Sequence, residues 1–209
     1  MVEFREEVRS YYKHYYDKND EAHKIDHADD VCNNALDINE RLNLKIDKKE
    51  IILAAYIHDI FTGEDRKLHN KLAHDYVLLN TDDIFLKELD QITRNRIAIA
   101  VYEHRSSLQI VNFSGELAEL IATADKGRLI LTEMICRSYK YHYREGKKVN
   151  EIYQSIVEHL HEKFGSNGYI EYPKLYMRAY GNDVRNLQKD VDRIDKYKVR
   201  DIIKEHCKE

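Results

Sequence analysis

The chain has 209 residues, with 34 Lys and Arg against 38 Asp and Glu and 11 His, for a formal net charge of -4. That balance gives no electrostatic footprint for a nucleic acid polymer, and no apolar run approaches the ~18 residues a membrane span needs. Pro173 is the single proline and glycines number 7, where average usage would give roughly ten prolines, which argues against turn-rich sandwiches and barrels.

Helical periodicity dominates the chain. A first helix is expected over residues 3–17, ending in the aromatic cluster Tyr11, Tyr12, Tyr15 and Tyr16, which reads as helix packing, with a base-stacking wall as the alternative. Asp20 can cap a second helix through Leu42. Asp47 opens a third, with Glu50 at capping-box spacing. Its body, Ile51 to Ile57, is nearly all apolar and must be buried. Phe61 to Glu64 breaks the chain, and Asp65 is expected to cap a fourth helix to Leu79. A short element follows at 82–89. Thr93 is the expected cap of a helix to His104, residues 105–114 read as a loop, and Ser114 is the expected cap of one long helix over 116–143. A further helix covers 149–164, Gly165 to Gly168 forms a turn, and 173–206 is a helical tail broken or kinked near Gly181. The expectation is an all-α fold: a bundle over residues 1–168, with a C-terminal helical extension, 169–209, packed on the same domain. Alternating charge in the extension, such as Lys189, Asp190, Asp192 and Arg193, reads as a solvated face. The extension could also cover a pocket, bind a partner or form a homodimer contact.

Cys32, Cys136 and Cys207 are odd in number, far apart and in no CxxC pair. This argues against a disulfide framework or zinc knuckle and makes a reducing cytoplasm the expected compartment. The acidic N-terminus has no apolar signal core.

The informative feature is polar residues on apolar helix faces. His27 shares a face with Val31 and Ala35. His58 and Asp59 end the most hydrophobic helix, and Asp125 falls on the stripe of Leu117, Leu120, Ile121 and Ala124. Each has an ordinary explanation alone: a satisfied core histidine, a histidine at the negative end of a helix dipole, or an aspartate paired with Lys126 or Arg128. A buried carboxylate needs a cation or strong donors, and two imidazoles converging with two carboxylates would provide a ligand set for Mn, Fe, Ni, Co, Zn or Mg.

The order His27, His58-Asp59, Asp125 resembles the HD-domain superfamily of metal-dependent phosphohydrolases, in particular its small stand-alone bacterial members. The first motif is similar at His23, His27 and Val31. The second is similar at Ala54 to Ile60. A later stretch, Ile97 to His104, and a fourth, Thr123 to Leu129, follow in order. Weaker likeness continues at Arg137 to Tyr141 and Glu158 to Phe164, so the resemblance spans about residues 20–165. Four positions depart from the pattern. Asp30 stands where relatives carry Arg, Arg105 replaces Ser, and Gly127-Arg128 replaces Leu-Asp.

The resemblance implies a helical fold around one divalent ion bound by His27, His58, Asp59 and Asp125. Manganese is the first expectation, and magnesium, cobalt, nickel, iron and zinc remain open. It implies hydrolysis of phosphate esters or anhydrides of small-molecule nucleotides, chiefly di- and triphosphates, with no nucleic acid polymer and no membrane as partner. Asp59 would ligate and orient the attacking water, with His104, Glu64 and Lys126 as further catalytic candidates. His23, Arg66, His69, Arg105, Arg128 and Lys163 are candidates for binding substrate phosphates, where cationic donors are needed. Two alternatives stay open: a binuclear phosphodiesterase using His69 and His104 as extra ligands, and a metal-binding nucleotide-sensing module without turnover.

Overall fold

The computed structural model describes residues 1–20, 23–105 and 108–207. All regular structure among them is helical: α1 (Val2–Tyr16), α2 (Ile25–Arg41), α3 (Lys48–Ile57), α4 (His69–Leu79), α5 (Gln91–Glu103), α6 (Glu116–Lys126), α7 (Leu131–Arg144), α8 (Val149–Phe164), α9 (Lys174–Asp192) and α10 (Lys196–His206). No helix among them is long and apolar enough to cross a membrane.

The chain divides into two compact units. The first comprises 1–127 with 173–179, the second 128–172 with 180–209. This division does not coincide with the expected boundary at residue 168.

In the first unit α3 is the central element. It packs against α1, α2, α5 and α6. Ile51, Ile52, Leu53 and Ile57 are all buried, each contributing about 1.5–3 kcal/mol on transfer from water. Asp47 caps the helix, accepting from the Lys49 and Glu50 backbone N–H groups. Glu50 does not close a capping box; its carboxylate takes both forks of Arg96. The Tyr cluster of α1 is packing. Tyr12 donates to buried Asp83 at 2.7 Å and Tyr16 to the Tyr56 carbonyl at 3.1 Å.

Several boundaries move from their expected places, each for a local reason. The second helix starts at Ile25 behind Lys24. Asp20 instead faces His23 and Arg66, and residues 21–22 of that expectation lie outside the described residues, as do 106–107 of the expected 105–114 loop. Asp65 caps only the turn before α4, through Lys67 and Leu68, and the 82–89 element is a set of turns anchored by Asp83. Asp90, not Thr93, caps α5. Ser114 bonds to Glu103 rather than capping α6. The long 116–143 helix is two helices, because Gly127 adopts φ 59°, a left-handed conformation that favours glycine. The break in the tail falls at 193–195, not at Gly181.

The second unit has its own core, in which Ile135 of α7, Ile152, Ile156 and Leu160 of α8, Leu187 and Val191 of α9, and Val199 and Ile202 of α10 are buried together. A disulfide joins Cys136 to Cys207 within it. This overturns the expectation that no disulfide forms. The 71-residue separation in sequence carries no information about space, and the packing of α7 on α10 brings the two thiols together. The argument for a reducing compartment thereby loses its premise. Cys32 remains a buried free thiol.

Candidate metal centre

The site lies wholly in the first unit and is built by helix ends. His58 is the C-cap of α3 and His104 the C-cap of α5. The two are made the same way. Each ring donates Nδ1–H to the carbonyl three residues back, His58 to Ala55 and His104 to Val101, both at 2.7 Å. His69, the first residue of α4, repeats the contact with the Arg66 carbonyl at 3.0 Å. A carbonyl only accepts, so in all three rings Nδ1 carries the proton and Nε2 is the atom presented inward. This is the arrangement by which metal-binding histidines are commonly oriented.

The inward atoms meet. His58 Nε2 lies 3.4 Å from His27 Nε2, and His69 Nε2 lies 3.2 Å from His104 Nε2. Asp59 sits between the two pairs. Its Oδ2 is 3.4 Å from His58 and 3.8 Å from His27, and its Oδ1 is 3.3 Å from His69 and 3.5 Å from His104. Asp125, from α6, places Oδ1 3.0 Å from His27 and 3.9 Å from His58. Two sets of ligand atoms, His27-His58-Asp125 and His58-Asp59-His104, lie mutually within 4.8 Å. These buried groups could hold a metal ion. His69 and His104, each with its proton on Nδ1, face one another through Nε2 lone pairs at 3.2 Å, which repel unless a proton or a metal cation lies between them, and His58 Nε2 faces His27 Nε2 at 3.4 Å beside two carboxylates, so the donor set fits such an ion.

Electrostatics agree. Burial disfavours a charged His58, but the Asp59 and Asp125 carboxylates outweigh it and push its pKa up to about 9. Burial also opposes ionisation of Asp59, yet the imidazoles of His58 and His104 hold it well below the usual carboxylate range. Asp125 is likewise lowered despite its burial, chiefly by the bond from His27. Burial, reinforced by His104, lowers His69. Protonated His58 therefore acts as the counter-ion in the metal-free protein. Its stabilising effect is complete below about pH 6.5 and is lost as pH rises through about 9. Thermal unfolding of metal-free protein across that window should show a loss of about 3 kcal/mol, and a divalent metal held in the proton's place would remove that dependence. A stability profile equally flat with and without metal would count against this assignment of charge.

The loop after Asp59 is stitched in place by Asn19, a residue the sequence reading did not single out. Its amide nitrogen donates to the Asp59 and His23 carbonyls, both at 2.9 Å, and its oxygen accepts from Gly63 N–H at 2.7 Å. Close approach makes Gly63 obligatory, since a Cβ there would lie 2.5 Å from the Lys18 carbonyl oxygen. An Asn in a helix-ending turn carries no periodic signal, so nothing in the sequence pointed to it.

No family model matches the chain. Comparison with curated proteins and with solved structures likewise returns no match.

The four expected ligands, His27, His58, Asp59 and Asp125, come together, and His69 and His104 join them. A cavity of about 260 Å³ opens on the cluster, lined by Asp59, His69, His104 and Asp125. His23, Thr62, Arg66 and Arg105 complete its described lining. Glu64 is not brought to it; it is exposed and pairs with Lys18 at 3.7 Å. Lys126 is not in the lining either, and its Nζ lies 5.2 Å from the Tyr176 ring centre. Arg128 and Lys163 belong to the second unit. There Arg128 pairs with Asp183 at 3.0 Å and Lys163 lies over Phe164.

Proposed function

We propose that the chain is a metal-dependent phosphohydrolase of HD-domain type, cleaving phosphoanhydride or phosphoester bonds, with nucleoside di- and triphosphates as the expected substrates. The observation that carries this reading is the pair of facing Nε2 contacts on either side of the Asp59 carboxylate, a donor set suited to a divalent cation.

His27, His58, Asp59 and Asp125 would hold the ion. When bound, it supplies Lewis acidity toward a phosphoryl oxygen and makes water a competent nucleophile near neutral pH. The chain's own groups supply orientation. The helix-end carbonyls of Ala55, Val101 and Arg66 fix three rings with Nε2 inward. Asp59, held ionised, would accept a hydrogen bond from the attacking water and so align it. Arg66 and Arg105, lining the cavity, offset phosphate charge. A second reading, a binuclear phosphodiesterase, draws support from His69 and His104, which face the opposite oxygen of Asp59.

The test combines turnover with metal content. Purified protein loaded with manganese, magnesium or cobalt is offered nucleoside di- and triphosphates and a phosphodiester, and products are separated by anion-exchange chromatography. Release of phosphate or pyrophosphate with one metal per chain supports the first reading; two metals per chain with diester cleavage support the second. Fully loaded protein without turnover on any of these would overturn both.

A further inference from the structure

We infer that the site recognises an oligophosphate chain by itself, without reading a base or sugar, so that inorganic pyrophosphate and tripolyphosphate are bound on a par with nucleotides. The inference rests on the phosphohydrolase reading for its chemistry and on the cavity lining for its specificity.

The lining decides it. Every described residue of the cavity is ionisable or polar, whereas sites that read organic ligands are mostly apolar and aromatic and run to roughly 300–1,000 Å³. At about 260 Å³ this cavity falls below that range. Bases are held chiefly by stacking on broad aromatic faces, and the described lining has no Phe, Tyr or Trp; its His69 and His104 rings are tied through Nδ1 to the Arg66 and Val101 carbonyls and turn Nε2, not a ring face, toward each other. The buried tyrosines of α1 are engaged elsewhere: Tyr12 with Asp83 and Tyr16 with the Tyr56 carbonyl.

What the lining does offer is donors. Arg66 and Arg105 present guanidinium forks suited to phosphate oxygens. Among the described residues, Arg66 donates to Asp20 and Arg105 to the Lys67 carbonyl, each through Nη1. Thr62 supplies an independent sign of a ligand. It is 8% exposed, it lines the cavity, and its buried Oγ1 has no hydrogen-bond partner. Such a group ordinarily has one, and rotation of the Thr62 side chain about χ1 would let a phosphate oxygen accept from it. His23, tied to Asp20 at 2.7 Å, stands in the same lining.

The reaction on this class balances without any co-reactant. A water oxygen forms a bond to phosphorus, the bridging P–O bond breaks, and the proton from water passes to the departing oxygen. Pyrophosphate and water thus give two phosphates.

Competition equilibrium dialysis in the cold, with magnesium present, would compare pyrophosphate, tripolyphosphate, ATP, GTP, CTP, UTP and adenosine. Phosphorus NMR would follow hydrolysis separately. The expected result is tripolyphosphate and the four triphosphates binding within about threefold of one another, ~0.7 kcal/mol, with no competition by adenosine. Arg66→Ala, on the exposed edge, and Thr62→Val, which keeps the shape and removes the hydroxyl, should each weaken all phosphate ligands alike, Arg66→Ala by about tenfold. A preference above about tenfold for one base, competition by adenosine, or failure of tripolyphosphate to bind would overturn the inference while leaving a nucleotide phosphohydrolase standing. Base-indifferent binding without hydrolysis would uphold it and remove the catalytic reading instead.

Discussion

Replacing Asp59 by Asn is expected to strip metal from the cluster and to lower phosphate hydrolysis about a thousandfold or more, on the order of 4 kcal/mol in the barrier. The reason is the placement of its two oxygens, one toward His27 and His58 and the other toward His69 and His104. An amide keeps the size and removes the charge that both imidazole pairs face. Elemental analysis of the purified variant reads the metal, and chromatography of a nucleotide digest reads the turnover. Glu64→Gln is the internal control. Its carboxylate pairs with Lys18 outside the cavity, so metal content should stay at the wild-type level. Wild-type metal and turnover in Asp59→Asn would eliminate the proposed centre.

The second large effect lies in the other unit. Opening the Cys136–Cys207 disulfide, by reductant or by Cys136→Ser, should destabilise the chain by about 4 kcal/mol, the chain-entropy value for a closed loop of this length, given the 71-residue separation. Denaturant titration with and without reductant measures it. Thiol counting on unfolded protein supplies the chemical check: one reactive thiol, Cys32, before reduction and three after. Three thiols without reductant, or an unchanged midpoint, would contradict the expectation.

The contrast between those two features explains what the sequence could convey. The apolar run of α3 ending in His58-Asp59 was legible because an ionisable pair at the end of a buried helix is costly unless it is used. His27 and Asp125 were legible from the apolar faces they interrupt. The roles of His69 and His104 were open, since each lies near a helix end where a histidine has structural reasons to sit; only the Nε2 contact of 3.2 Å places them together. The helix boundary at Gly127 was missed because helical periodicity resumes immediately after it, and the φ that breaks the chain is not a property of composition. The cap at Asp90 rather than the expected Thr93 is a three-residue shift that periodicity does not resolve. The disulfide and Asn19 depend wholly on tertiary packing, and no local pattern announces either.

The Asn19 stitch has a consequence for how the molecule tolerates change at its beginning. A fragment starting at residue 23 would keep His27, His58, His69, His104, Asp59 and Asp125, and so look complete on paper. It would lose the amide that spans the Asp59 carbonyl and Gly63 N–H, and with it Tyr16, whose hydroxyl ties α1 to the Tyr56 carbonyl. The opening helix and the turn after it therefore serve as a splint: they contribute none of the clustered His and Asp side chains, yet they set the pitch of the turn on which the Asp59 carboxylate rides.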